Sequence, residues 1–540
     1  MRFVWAAAFF AAVSGIACAQ PAHERLRRLA DESDSRSVDF LAGESAFDRR
    51  LERDRYRDVL AKVKAIPAKG LSPTDRVTRS VIELRSRWAL ERLESPYLEH
   101  TLLIPLEGGL AADLVQRMTR QPFRDPADLR AWMKGLSKYP ALLAAARARL
   151  EAAMGEGVTT PRVLVEKTLE QWDRIAAGEP RASTLWAPAQ RYAPDLQREY
   201  EKLLGERVLP AMRDFTRFVR EDYLPRARTT DGLADIPGGG RLYANLVRQQ
   251  GTAELTPDAV HEMGLREVKR IQLQVMLAAG QAGFKGELRD LGTWLRADAN
   301  NFPFTRSEDV LEYLRGIHAR ILPQLPRLFS RIPRAPLAIT PTDPVPVSDA
   351  REASIATLTS QLLHEGMPGR HLEHALAREG PLPRFRRDLQ IDAYGEGWAL
   401  YAESLGHEMG LYDEPISLIG RYLDELHRAA RLVADTGLHS KGWSRARAIE
   451  FMMEAGGLSE RAATHEVLRY MALPSQALGD KLGEIAIAGL RSRAQRELGD
   501  AFDIRDFHEC ILGEGQVPLD ILRARVDGWI AKRSRPAGSR

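Results

Sequence analysis

Apolar residues along this chain recur mostly at three- and four-residue spacing. Val77, Val81, Leu84 and Trp88 stand at i, i+4, i+7 and i+11, which is one face of a helix. They follow Ser72-Pro73-Thr74-Asp75, which offers an N-cap, a proline in the first turn and a capping-box acid. The same order returns with Thr160-Pro161 before Val165, Leu169, Trp172 and Ala176, and with Thr256-Pro257-Asp258 before Val268, Ile271 and Val275. It returns again with Ser307 before Val310, Leu314 and Ile317. Period-two runs of β-branched residues are scarce, so the pattern predicts a mainly α, multi-helical unit built around a deep cleft, with at most a small β element.

Two stretches interrupt the helical pattern. Residues 228–240 end in Ile236-Pro237-Gly238-Gly239-Gly240 and predict a boundary between an N-terminal helical region, 20–230, and a C-terminal one, 231–540. The glycine run lacks the Lys-Ser/Thr and the flanking strand of a phosphate cradle and reads as a turn. Residues 332–349 carry five prolines and cannot be helical throughout.

The first nineteen residues predict an export signal. Arg2 precedes an apolar run from Phe3 to Ala17, and Ala17-Cys18-Ala19 before Gln20 has the small-x-small form of a cleavage site. The run is shorter than the roughly 20 residues a spanning helix needs, so the expected mature chain is periplasmic or secreted, without a membrane span. A lipoprotein cut ahead of Cys18 is the rival reading, weakened by Gly15 where a leucine is usual. Lys+Arg 78 against Asp+Glu 74 is too balanced to predict a nucleic-acid partner. After cleavage Cys510 is the one thiol left, so sulfur takes no part in a metal site.

Histidine is clustered. Seven of the 12 fall between His364 and His465, where even scatter would put about two. The cluster begins Leu363-His364-Glu365-Gly366-Met367-Pro368-Gly369-Arg370-His371-Leu372-Glu373-His374. A His-Glu pair followed by another histidine suggests zinc held by imidazoles, with the glutamate activating bound water. The spacing is not that of HExxH, because position 368 is proline, and seven residues of regular helix rise about 10.5 Å, too far for easy chelation. A kink at Pro368-Gly369 predicts a way to bring His364 and His371 together. Downstream, Glu396 is the expected third ligand, because a buried ionised glutamate needs a partner, and Glu403 is the expected orienting carboxylate behind a ligand histidine.

Four ordered blocks carry a resemblance. They are His364-Glu365-x-x-Pro368-Gly369-x-His371, the run Glu396-Gly397-Trp398-Ala399-Leu400-Tyr401-Ala402-Glu403, Arg431-Leu432-Val433-x-Asp435-Thr436-Gly437-Leu438-His439, and Pro474-x-Gln476-Ala477-Leu478. Together they resemble the bacterial family catalogued as domain of unknown function 885. Weaker similarity, through His261-x-x-Gly264-Leu265 and Val517-Pro518-Leu519, extends over most of the mature chain. The resemblance implies a largely helical protein of zinc-peptidase type. Three departures stand against it. The family usually shows two adjacent histidines after Pro-Gly, and here the first is Arg370. A tyrosine common after the Pro-x-Gln-Ala block is replaced by Asp480, and 332–349 is too short for the family's tyrosine- and glycine-bearing segment.

The expectation is an exported zinc-dependent peptidase acting on short peptides. His364, His371 and Glu396 would hold zinc, Glu365 would take a proton from bound water, and His439 or Tyr470 would stabilise the oxyanion. Arg431 is expected either to pair with Asp435 one turn on or to clamp a substrate carboxylate. Gly437 is expected to end a helix before Trp443, and Trp398, Leu400 and Tyr401 to be core. The alternative is a degenerate relative that binds peptide or cell-wall fragments without a metal, with Arg370 supplying the cation.

Overall fold

The computed structural model describes residues 21–34, 46–94 and 109–534; the leader, with Cys18 and Ala19, lies outside them. Among the described residues there is helix after helix and no strand, only isolated bridges at Pro161–Arg228 and Thr340–Asp343. No helix there is long and apolar enough to cross a membrane.

The capping residues do what their chemistry predicts. Asp75 N–H donates to Ser72 Oγ at 3.0 Å at the start of Pro73–Glu94, and Ala259 N–H donates to Thr256 Oγ1 at 3.2 Å at the start of Pro257–Gln281. Val165, Leu169, Trp172 and Ala176 are buried along Arg162–Ala176, as are Val310, Leu314 and Ile317 along Ser307–Ile321. On Pro73–Glu94 the most buried stripe is turned from the expected one, to Thr78, Val81, Ile82, Ser86, Ala89 and Leu90, leaving Val77, Leu84 and Trp88 half-buried. Residues 332–349 carry no helix.

Four apolar clusters hold these helices. One, from Ala111 to Ala227, is made by consecutive segments alone. A second joins Leu26, Val59 and Val81 of the early helices to residues from Phe304 to Ile530. The third and fourth lie around Pro257–Gln281 and the 26-residue helix Pro415–Ser440.

Two close crossings position the chemistry. A Cβ on Gly397 would fall 2.4 Å from Gly483 Cα, so Asp392–Leu405 and Gly479–Leu498 meet backbone to backbone. A Cβ on Gly420 would fall 1.9 Å from Ala356 O, which presses Pro415–Ser440 against Ile355–Glu365. Glycine at both places lets these four helices pack closely; His364 and Glu365 lie on one of them, and Glu396 and Glu403 on another.

Candidate functional site

The helix Ile355–Glu365 begins on Ser354, whose Oγ accepts from Ala356 N–H, and it stops immediately after the His-Glu pair. Residues 366–369 are not helical, and a new helix, Arg370–Glu379, follows. A Cβ at Gly369 would lie 2.0 Å from His364 O, so only glycine lets the chain fold back this tightly. Trp398 secures the break: its indole N–H donates to Pro368 O at 3.0 Å. The predicted interruption is therefore present, and the indole has a use besides filling the core.

What the break brings round is Arg370. Its guanidinium contacts Glu396 Oε1, and its second terminal nitrogen lies 3.7 Å from Glu365 Oε2. His371 faces elsewhere, with Nε2 3.1 Å from Ala335 O on the proline-rich loop. The new helix restarts its phase at Arg370, and adjacent residues on a helix point about 100° apart, so residues 370 and 371 cannot both face His364.

His364 is 5 % exposed and is held from both sides. Its Nδ1 lies 2.8 Å from Glu403 Oε1, so Nδ1–H donates to a carboxylate that is itself 1 % exposed. Its Nε2 is left towards Glu396 Oε2 at 3.5 Å. This is the carboxylate–imidazole relation expected for Glu403. Beyond it runs a row of partly buried charges. Arg428 reaches Glu403 at 3.9 Å and Asp480 at 3.4 Å; Arg431 reaches Asp480 at 2.9 Å and Glu466 at 3.2 Å; Arg469 reaches Glu466 at 2.9 Å. Burial raises the Asp480 carboxyl, but Arg431 and Arg428 outweigh it and hold the group below the usual range. Arg431 thus bridges two distant carboxylates rather than pairing with Asp435.

The two expected oxyanion donors are already engaged by other partners. His439 is fully buried, with Leu233 N–H donating to Nδ1 at 3.1 Å and Nε2–H donating to Tyr470 O at 3.0 Å. Both ring nitrogens are committed, and burial lowers the imidazole to about 4, so it is neutral at pH 7. Tyr470 is buried and donates to Glu466 Oε2 at 2.8 Å. Gly437 does not end a helix; it lies inside Pro415–Ser440, where a Cβ would strike the Trp443 ring at 2.5 Å, so the glycine serves close packing. Asp435 is also interior: Tyr243 Oη–H and Ser475 N–H donate to it, and burial raises it to about 7.

A zinc ion of the expected kind needs three convergent donors. Here His364 Nε2 and Glu396 converge, His371 does not, and the third direction holds a guanidinium, which repels a metal cation. The residues present do not fit a three-ligand zinc site. Among the described residues, three carboxylates that could share an ion are Glu267, Glu425 and Glu484, within 4.8 Å of one another. The fully buried Lys481 ammonium already serves that cage, at 3.1, 2.8 and 2.8 Å. Of the other clustered histidines, His407 packs on Tyr412 and Tyr422, and His427 lies 3.5 Å from Glu466.

Sequence reasoning passed over Arg428 and the Lys481 cage. Arg428 and Arg431 lie one turn apart on the helix Pro415–Ser440, a signal that was legible; the cage brings Glu267, 214 positions before Lys481, and Glu425, 56 before it, to the local pair Lys481–Glu484, and only that pair shows as a spacing.

The profile described as "Bacterial protein of unknown function (DUF885)" matches residues 31–359 and 345–526. No curated protein matches the chain. Two solved structures share the fold. "The putative lipoprotein from Colwellia psychrerythraea" superposes with a TM-score of 0.85 at 23% identity, over 95% of this chain and 99% of that one. A "putative lipoprotein of unknown function from Shewanella oneidensis" superposes at 0.73 and 17%, over 93% and 96%.

Proposed function

The chain belongs to the DUF885 family of bacterial proteins, and we propose that within it this protein binds short peptides, or peptide-bearing cell-wall fragments, without hydrolysing them through zinc. The observation that carries this reading is the Arg370 guanidinium set between Glu396 and Glu365. A fixed cation there balances the carboxylates that a metal would otherwise balance, and it supplies neither a Lewis acid nor a water of lowered pKa.

The ligand class follows from charge order. Glu365, Arg370, Glu396, Arg428, Asp480 and Arg431 alternate in sign, and all but the buried Asp480 are partly exposed. A row of that kind suits a molecule with an ammonium and a carboxylate a few bonds apart, and short peptides are such molecules. The guanidiniums offer paired donors to a carboxylate, and Glu365, held only loosely by Arg370, offers an acceptor to an ammonium. The apolar leader and the neighbours' description as lipoproteins support export. The mass of the mature N-terminus separates a chain beginning at Gln20 from one acylated on Cys18.

One observation favours a second reading, the zinc peptidase: Glu403 orients His364 as it would orient a metal ligand. A single experiment separates the two. Purified protein is titrated calorimetrically with a panel of di- to pentapeptides, and the mixtures are then analysed by mass spectrometry. Binding with intact peptides is expected. Cleavage that disappears with a chelator and in Glu365→Gln would overturn the binding reading in favour of the enzyme.

A further inference from the structure

The site differs from a metal centre at one position, and the geometry points to 370. We propose that Arg370 stands in for a divalent cation, and that the surrounding residues form a latent transition-metal site which a donor side chain at 370 opens. This rests on the metal-free reading above and deepens it, because it names the position that decides the matter.

The first support is the spacing of the donors already present. His364 Nε2 and Glu396 Oε2 are 3.5 Å apart. Two ligands of one tetrahedral ion, each bonded at about 2.0–2.2 Å, stand about 3.4 Å apart. The pair is therefore at chelating distance without rearrangement. The imidazole is also in the right tautomer, since Glu403 takes the proton on Nδ1 and leaves the Nε2 lone pair free.

The second support is reach. The Arg370 guanidinium touches Glu396 directly. An imidazole is shorter than the arginine side chain, so at 370 it stops short of that contact, and an ion bonded at about 2.0–2.2 Å to each donor would lie between them. Charge agrees. The guanidinium offsets Glu396 and Glu365, and replacing Arg370 by an uncharged donor leaves two carboxylates to attract a dication. His371 cannot do this, because its ring is on the far side at Ala335 O.

The test is zinc titration with elemental analysis on the full mature chain. Wild type and His371→Ala are expected to hold no tightly bound zinc. Arg370→His is expected to bind one zinc per chain, tighter by at least about 10–100-fold, since losing merely an outer partner of a ligand already costs that much. His364→Ala added to Arg370→His abolishes that binding, and His371→Ala added to it does not. Circular dichroism checks each fold, and Arg370→Cys gives a second donor if the histidine variant does not fold. Zinc bound equally by wild type and Arg370→His, no gain in either donor variant, or loss of the gained site with His371→Ala would each overturn the proposal. Peptide titration of wild type is independent of these outcomes, so failure of the binding reading is told apart from failure of the metal assignment.

Discussion

Lys481 provides the sharpest test of how the fold around the site is held. Its side chain is fully buried and its ammonium meets Glu267, Glu425 and Glu484 at 3.1, 2.8 and 2.8 Å. Lys481→Met keeps much of the volume and removes the charge. Glu425 retains Arg270 and Arg421, at 2.5 and 3.0 Å, and Glu267 retains Arg270 at 2.8 Å. The loss therefore falls on Glu484, whose described cation is Lys481. Removing one partner of a buried pair costs about 3–5 kcal/mol, and proton uptake by Glu484 brings the expected loss to the lower end of that range. Burial, and the neighbouring Glu425, already push the Glu484 carboxyl upward, and without the ammonium it rises further. A carboxyl raised in the folded state binds more protons folded than unfolded, so its penalty grows as pH rises above the unfolded value near 4.3. Urea unfolding followed by tryptophan fluorescence at pH 5.5 and pH 8 should show the variant weaker at both, with the larger deficit at pH 8. A loss below about 1 kcal/mol at both values, with no dependence on pH, would refute the caged-ammonium account.

Two further expectations concern histidine. His371→Ala should leave stability and peptide affinity almost unchanged, within about 0.5 kcal/mol by urea unfolding and calorimetry, because the ring makes one contact at the rim of the proline-rich loop. His508 is buried between Leu328 O and Tyr401 Oη at 2.8 and 2.9 Å, and burial lowers it to about 3, as it lowers His439 to about 4. Both are neutral when folded and charge when unfolded, so each removes stability as pH falls from about 6.5 towards those values, at up to about 1.4 kcal/mol per pH unit. Asp435 and Glu373, raised by burial to about 7, act oppositely, losing stability as pH rises from about 4 to 7. The wild-type profile is thus expected to be shallow between pH 4.5 and 6.5, and His508→Phe should tilt it towards greater relative stability at the acid end, measured as the slope of unfolding free energy against pH.

The helical class was legible because it is written in local chemistry. Ser72 and Thr256 announce their helices through hydroxyls that bond within three residues, and Val165 to Ala176 mark a buried face at their own spacing. The break after Glu365 was legible too, from Pro368 and Gly369. Its outcome was not. Which side chain returns to His364 depends on where the next helix starts its phase, and that is set by Trp398 binding Pro368 O from 30 residues away. A one-residue difference in phase exchanges His371 for Arg370. Gly437 shows the same limit: glycine reads locally as a helix end, whereas here it stands inside a helix to make room for the Trp443 ring. His439 and Tyr470 stood within recognisable blocks, but blocks do not reveal that both nitrogens of one and the hydroxyl of the other are already engaged. Glu403 and Glu396 were readable because a carboxylate on a strongly apolar helix demands a partner, and each has one.

The guanidinium of Arg370, between Glu396 and Glu365, occupies the position of a metal ion. Anomalous diffraction at the zinc absorption edge, from crystals of the unaltered protein grown with zinc, tests it most directly. Ordered side-chain density for Arg370 between Glu396 and Glu365 is expected, with no anomalous peak within bonding distance of His364 Nε2. A strong peak shared by His364 and Glu396, with Arg370 swung aside, would contradict it.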